Sequence, residues 1–148
     1  MRVRGDDAPE LRVLSVQQPW AWLIVHGGKD IENRRWSTSY RGQVAIHASL
    51  RLDREFHSGR FPIPPGARLP TVDALPRGAI VGVVSIVDCV EVSASPWFGG
   101  PFGFVLQNAR PIEPLPWRGA LGLRRLPNDA AQEVFHRLVP ADSTPQEG

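Results

Sequence analysis

Leu14-Ser15-Val16-Gln17-Gln18-Pro19-Trp20-Ala21-Trp22-Leu23, then Gly27-x-Lys29-x-x-Glu32-x-Arg34 running on to Trp36, then Tyr40-Arg41-Gly42-Gln43-Val44-Ala45-Ile46-His47-Ala48-Ser49, decide the fold of this chain. Leu11 to Val16 alternates enough for a first strand. Pro19 suits the first turn of a helix, where its missing N–H costs nothing. Trp20, Leu23, Ile24 and Gly27 follow an i, i+3, i+4, i+7 stripe that faces a core, with Trp22 and His26 one turn apart on another face. Gly27 and Gly28 end that helix, because either can adopt a left-handed cap. Lys29 therefore falls in a turn. In a strand from Asp30 to Trp36, the side chains of Glu32, Arg34 and Trp36 share one face and Ile31 points to the other. Gly42 to Ala48 follows as an apolar strand.

Further along, Leu50 to Gly59 reads as a short polar helix or turn. Phe61 to Gly78, dense in Pro and Gly, reads as a long loop with a helical turn near Val72. Ile80 to Val92 is apolar and β-branched throughout, as expected of a central strand. Phe102 to Ile112 and Leu121 to Leu126 supply two more strands, with a Pro-rich connection from Pro111 to Pro116. Asn128 could cap a last helix whose buried stripe is Ala131, Val134, Phe135 and Leu138. The expected organisation is one domain over 11–140, with disordered tails at 1–10 and 141–148. Many short strands with few helices predict an α+β fold, a small and strongly bent sheet or barrel of five to six strands with helices at its ends.

The 148 residues suffice for a real core, and 42% apolar with 22% charged residues is ordinary for a soluble domain. No apolar run is long enough to span a bilayer, and the polar N-terminus lacks a signal-peptide core, so a cytoplasmic location is expected and no membrane partner. One cysteine, Cys89, rules out an internal disulfide and a cysteine-rich zinc site; placed in an apolar strand, it reads as a buried, inert thiol. His26, His47, His57 and His136 show no short ligand spacing, so neither metal nor other cofactor is expected. A net charge of +2 does not by itself point to nucleic acid. Arginines do cluster, however, around Lys29 to Arg41 and at Arg118, Arg124 and Arg125.

Lys29 is the one lysine among 17 basic residues. Arginine is the default cation here, so an ammonium at this position suggests a need for a compact point charge. Lys29 can donate to a phosphate or a base carbonyl. Arg34, and Arg41 beyond it, can pair with phosphate or a base edge. Glu32 can accept from an exocyclic amine, while Trp20, Trp36 and Tyr40 offer flat faces for stacking a base. The bland alternative is an ion cluster pinning the helix to the sheet, with the tryptophans as core. Trp20, on the apolar stripe, fits that alternative best. The turn at Gly99-Gly100-Pro101 reads equally as a cleft lip or as a plain hydrophobic loop.

The quoted stretches, covering Leu11 to Ser49, closely resemble the ASCH domain family (activating signal cointegrator homology). The family's strand, Gln-Pro-Trp helix start, Gly-x-Lys-x-x-Glu-x-Arg string, Trp and Arg-Gly before a strand all occur in order. Gly78 to Val90 is similar to its long central strand, and Trp97 with Phe102 to Leu106 to its next segment. The resemblance implies a PUA-like β-barrel with a cleft between barrel and helices, in a superfamily that commonly binds RNA or modified bases. RNA, single-stranded nucleic acid or a modified nucleoside is then the expected partner, with DNA also open and the oligomeric state undetermined. Two alternatives stay open: a metal-independent hydrolase and a coactivator-like protein-interaction module. Some relatives are amidohydrolases of acylated cytidine that use a lysine, a threonine three residues on and a distant glutamate. Lys29 aligns with that lysine, but Glu32 stands at the threonine position, and the distant glutamate has no obvious counterpart, Glu91 and Glu113 being the candidates. A ribonuclease would call on Lys29 and Glu32 as catalytic groups, with His47 or His57 as a further base.

Overall fold

The structure, a computed structural model, describes residues 10–57 and 68–140. The expected tails, Glu10 apart, and residues 61–67 of the expected loop lie outside the described residues. Six strands form one sheet in the order β2-β5-β4-β3-β1-β6. They are β1 (Arg12–Gln18), β2 (Ile31–Arg34), β3 (Gly42–Leu52), β4 (Ala79–Val90), β5 (Phe102–Pro116) and β6 (Arg124–Arg125), with helices α1 (Trp20–His26), α2 (Arg54–His57) and α3 (Asn128–His136). The β1–β3 pair is parallel, with Arg12 opposite Val44 and Ser15 opposite His47. Every other pairing is antiparallel. The α+β class and the strand number agree with expectation. A closed barrel does not form: no ladder joins the edge strands β2 and β6, so the sheet stays open.

Both faces of the sheet are covered, which explains the β-branched run through β4. On one face, Ala21, Ile24 and Val25 of α1 pack with Leu14, Val16, Val44, Ile46, Val84, Ile86 and Phe104. On the other, Ala131 and Val134 of α3 pack with Leu11, Val13, Ala45, Ile80, Val83 and Ile112, and the partly buried Phe135 and Leu138 extend the stripe. The α1 start is organised by Gln18, which is fully buried. Its Oε1 accepts the Trp22 N–H at 2.9 Å and its Nε2 donates to the Pro76 carbonyl at 2.9 Å. Pro19 sits at the capping position, one residue before the helix proper. At the C-terminal end, Gly28 takes φ +75°.

Gly82 lets α1 lie close on the sheet. A Cβ there would stand 2.6 Å from Val25 Cγ2 and 2.9 Å from the Arg110 carbonyl oxygen. The backbone on one side cannot yield, so Gly82→Ala is expected to destabilise the fold by about 1–3 kcal/mol through overpacking. Urea denaturation would read this as a lowered midpoint at unchanged slope.

Four expectations need correction. Asn128 is the first residue of α3, and Pro127 stands at the capping position instead. The Pro-rich segment is not a connection, because β5 runs on through Pro116. β2 pairs only with Phe102 to Val105 of β5, so the later prolines lie where that edge needs no N–H for a ladder. The strand expected at Leu121–Leu126 shrinks to Arg124–Arg125. Cys89 is half-buried rather than buried. The helical turn near Val72 is present, as a 3₁₀ turn over Val72–Ala74.

Candidate functional site

The open sheet leaves a seam between β2 and β1, and one side chain bridges it. Arg34 Nη2 donates to the Ser15 carbonyl of β1 at 2.7 Å. Arg34 Nε donates to Glu32 Oε2 at 3.0 Å, and Nη2 lies 2.8 Å from the same oxygen. Glu32 and Arg34 alternate along β2 onto one face, as the strand period requires. The guanidinium is thereby fixed through two of its nitrogens, and Nη1 has no partner among the described residues.

The other carboxylate oxygen, Glu32 Oε1, accepts from Lys29 Nζ at 3.1 Å. Lys29 also donates to the Ile31 carbonyl. Its side chain is only 3% exposed, against 9% for Glu32 and 22% for Arg34. The ammonium lies 5.4 Å from the Trp20 ring centroid, within range of a cation–π attraction. Lys29 thus stands behind Glu32 instead of facing the seam. A compact ammonium fits this buried corner where a planar fork would not, which accounts for the single lysine.

The seam opens as a cleft of ≈ 610 Å³, bordered by Trp20, Glu32, Arg34, Arg35, Trp36 and Asp53, with Gly100 and Pro101 at its lip. That size is in the ordinary range for small-ligand sites. Trp36 packs edge-on to Phe104, centroids 5.1 Å apart, and still borders the cleft. Trp20 is half-buried and is not simply core. Its Nε1 donates to Asp53 Oδ2 at 2.9 Å and its ring meets Trp97 edge-on at 6.5 Å. Asp53 in turn accepts the Glu55 N–H at 2.8 Å, at the start of α2. The lip is held by Asn33. Its Nδ2 donates to the Trp97 carbonyl at 3.0 Å, and its Oδ1 accepts the Gly99 and Gly100 N–H groups at 2.8 and 3.0 Å.

Two expected site residues stand elsewhere. Tyr40 donates its hydroxyl to the Gln43 carbonyl at 2.8 Å and carries the Arg12 guanidinium 4.6 Å above its ring. Burial, and then the Glu10 carboxylate, raise its phenol above the usual value, with Arg12 opposing. Arg41 donates to the Thr38 and Tyr40 carbonyls and lies 3.6 Å from Asp88. Neither borders the cleft. Asn33, Arg35 and Asp53 do border it, and the motif reading does not single them out. A signal for Asp53 exists in the sequence: a carboxylate directly before a short polar helix is an N-cap pattern.

His47 is 2% exposed, and both of its ring nitrogens are engaged. Nε2 donates to the Trp117 carbonyl at 2.8 Å, and Nδ1 lies 3.0 Å from Ser15 Oγ, which in the neutral imidazole donates to it. By strand alternation this pair lies on the side of β1 away from Leu14 and Val16. The side chain of His57 falls outside the described residues. Among the described residues, no cluster of three metal-ligating side chains occurs, and no helix is long and apolar enough to cross a membrane.

Comparisons with known proteins agree with this architecture. A family model described as the ASCH domain matches residues 14–113. Human activating signal cointegrator 1 is 32% identical over 82 residues, 53% of this chain but 14% of that protein. The mouse protein of the same name is 31% identical over 82 residues, with the same shares covered. The chain therefore matches only a small part of either relative. The crystal structure of ASCH from Zymomonas mobilis superposes with a TM-score of 0.57 at 15% identity, covering 87% of this chain and 96% of that one. A point mutant of that Zymomonas mobilis protein gives 0.57 at 17% identity, covering 87% and 99%. With the family model matching well over half of its length, the chain belongs to the ASCH domain family.

Proposed function

We propose that this chain binds single-stranded RNA, or a modified nucleotide, by taking one unstacked nucleotide into the seam cleft. The ASCH family is linked to RNA binding. The observation that carries the proposal is Arg34: its guanidinium is held by Glu32 and the Ser15 carbonyl, with Nη1 unclaimed, in a cleft that Trp20 and Trp36 border. A fixed fork beside flat aromatic faces suits a phosphate or base edge on a stacked base. Lys29, committed to Glu32 and Ile31, serves to hold the carboxylate that holds Arg34. It is not placed to act as a nucleophile in the cleft, which weighs against a hydrolase built on Lys29 and Glu32.

Trp36→Leu keeps an apolar group against Phe104 and removes the stacking face. It is expected to weaken binding of a single-stranded RNA decamer by about 1–3 kcal/mol, the usual worth of one stacked base. Fluorescence anisotropy would check this, with unchanged circular dichroism as the folding control. Parent-like affinity would remove Trp36 from the site.

A further inference from the structure

A second concavity of ≈ 600 Å³ lies beside the cleft, bordered by Leu50, Arg51, Leu52, Arg54, Val72 and Arg77. Half of these residues are arginines, all exposed, and none of the three has a carboxylate partner among the described residues. Arg77 Nη1 does donate to the Leu50 carbonyl at 3.1 Å, which fixes one guanidinium over the groove. The acid between Leu52 and Arg54, Asp53, is committed to the other side. Its oxygens accept from Trp20 Nε1 and from the α2 backbone. Leu50 is 73% exposed, an apolar floor left open to solvent between cations.

The position of the groove gives it meaning. Asp53 borders the cleft, whereas its immediate neighbours Leu52 and Arg54 border the groove. Adjacent Cα atoms are about 3.8 Å apart, so the two concavities share a ridge one residue wide. A polynucleotide leaving the cleft crosses directly onto three guanidiniums that no carboxylate among the described residues pairs with.

We propose, resting on the cleft assignment above, that the Arg51–Arg54–Arg77 groove is a second subsite that takes the backbone phosphates next to the nucleotide in the cleft. The ligand is then a single-stranded polynucleotide, not a free nucleoside. Charge complementarity selects phosphate, and Leu50 with Leu52 offers apolar surface to the sugars between.

The test uses two main probes, a mixed-sequence single-stranded RNA decamer and the four nucleoside 5′-monophosphates, with a blunt RNA duplex as a control. The triple variant Arg51→Ala/Arg54→Ala/Arg77→Ala is expected to bind the decamer at least tenfold more weakly at moderate salt. Its slope of log K against log salt should be shallower by about 2, at about 0.7 per lost single-strand phosphate contact. Monophosphate binding should be unchanged. Arg51→Ala/Arg54→Ala, which spares the Arg77 contact with the Leu50 carbonyl, should give about two-thirds of the slope change. Arg34→Ala should weaken both probes. Parent-like decamer affinity and slope in the triple variant would overturn the groove while leaving the cleft intact. Equal losses on decamer and monophosphate, or an equal loss on a blunt RNA duplex, would overturn it as well. If Arg34→Ala binds both probes like the parent, the cleft assignment fails, and the linked placement with it.

Discussion

Glu32→Gln should cost about 3–5 kcal/mol of folding stability, the usual penalty for removing one partner of a buried ion pair. Glu32 gives one carboxylate oxygen to Lys29 at 3.1 Å and the other to Arg34 at 3.0 Å. An amide cannot replace it, because its N–H₂ would face one of the two cations. With the N–H₂ toward Lys29, that side chain, 3% exposed, keeps the Ile31 carbonyl alone; with it toward Arg34, the guanidinium loses its carboxylate acceptor. Lys29→Met is expected to cost less, since Glu32 would still be paired with Arg34. Urea denaturation of the three proteins measures the order directly. Glu32→Gln within about 1 kcal/mol of the parent, the scale of an exposed pair, would mean that the cluster is a surface pair with no hold on the fold.

Arg34→Ala should weaken binding by about 1–3 kcal/mol, the worth of a guanidinium edge that meets a base or phosphate. Arg34→Lys should not restore it. The side chain engages Glu32 and the Ser15 carbonyl together, which needs the geometry of a planar fork rather than a point charge. Isothermal titration with the RNA decamer separates the cases. Full recovery in the lysine variant would reduce Arg34 to a source of positive charge.

Local pattern makes much of the fold legible. The alternation of β1, the β-branched run of β4 and the parity of Glu32 and Arg34 each follow from side chains whose burial depends on their own strand. The features that local pattern hides depend on distant chain. Asn33 meets Trp97, Gly99 and Gly100 across more than sixty residues, and nothing near Asn33 announces that contact. The extension of β5 through its prolines depends on where β2 stops. Lys29 shows a different limit. Its spacing from Glu32 fixes their proximity, but the direction of an ammonium in a turn is set by what packs over it, here Trp20. Closeness in sequence to Trp36 groups Tyr40 with the site. The chain leaves β2 after Arg34, and the Tyr40 ring packs against Arg12 of β1 instead.

The chain has five tryptophans, so a ¹⁵N-labelled sample offers five indole N–H signals as local reporters during titration with the decamer. Entry of a base into the seam cleft between Trp20 and Trp36 predicts saturable shifts at these two signals, with Trp97 following through its contact with Trp20, while Trp22 and Trp117 stay in place. Shifts at Trp22 or Trp117 with Trp20 and Trp36 unmoved would contradict it, and would place the nucleic acid on another face of the sheet.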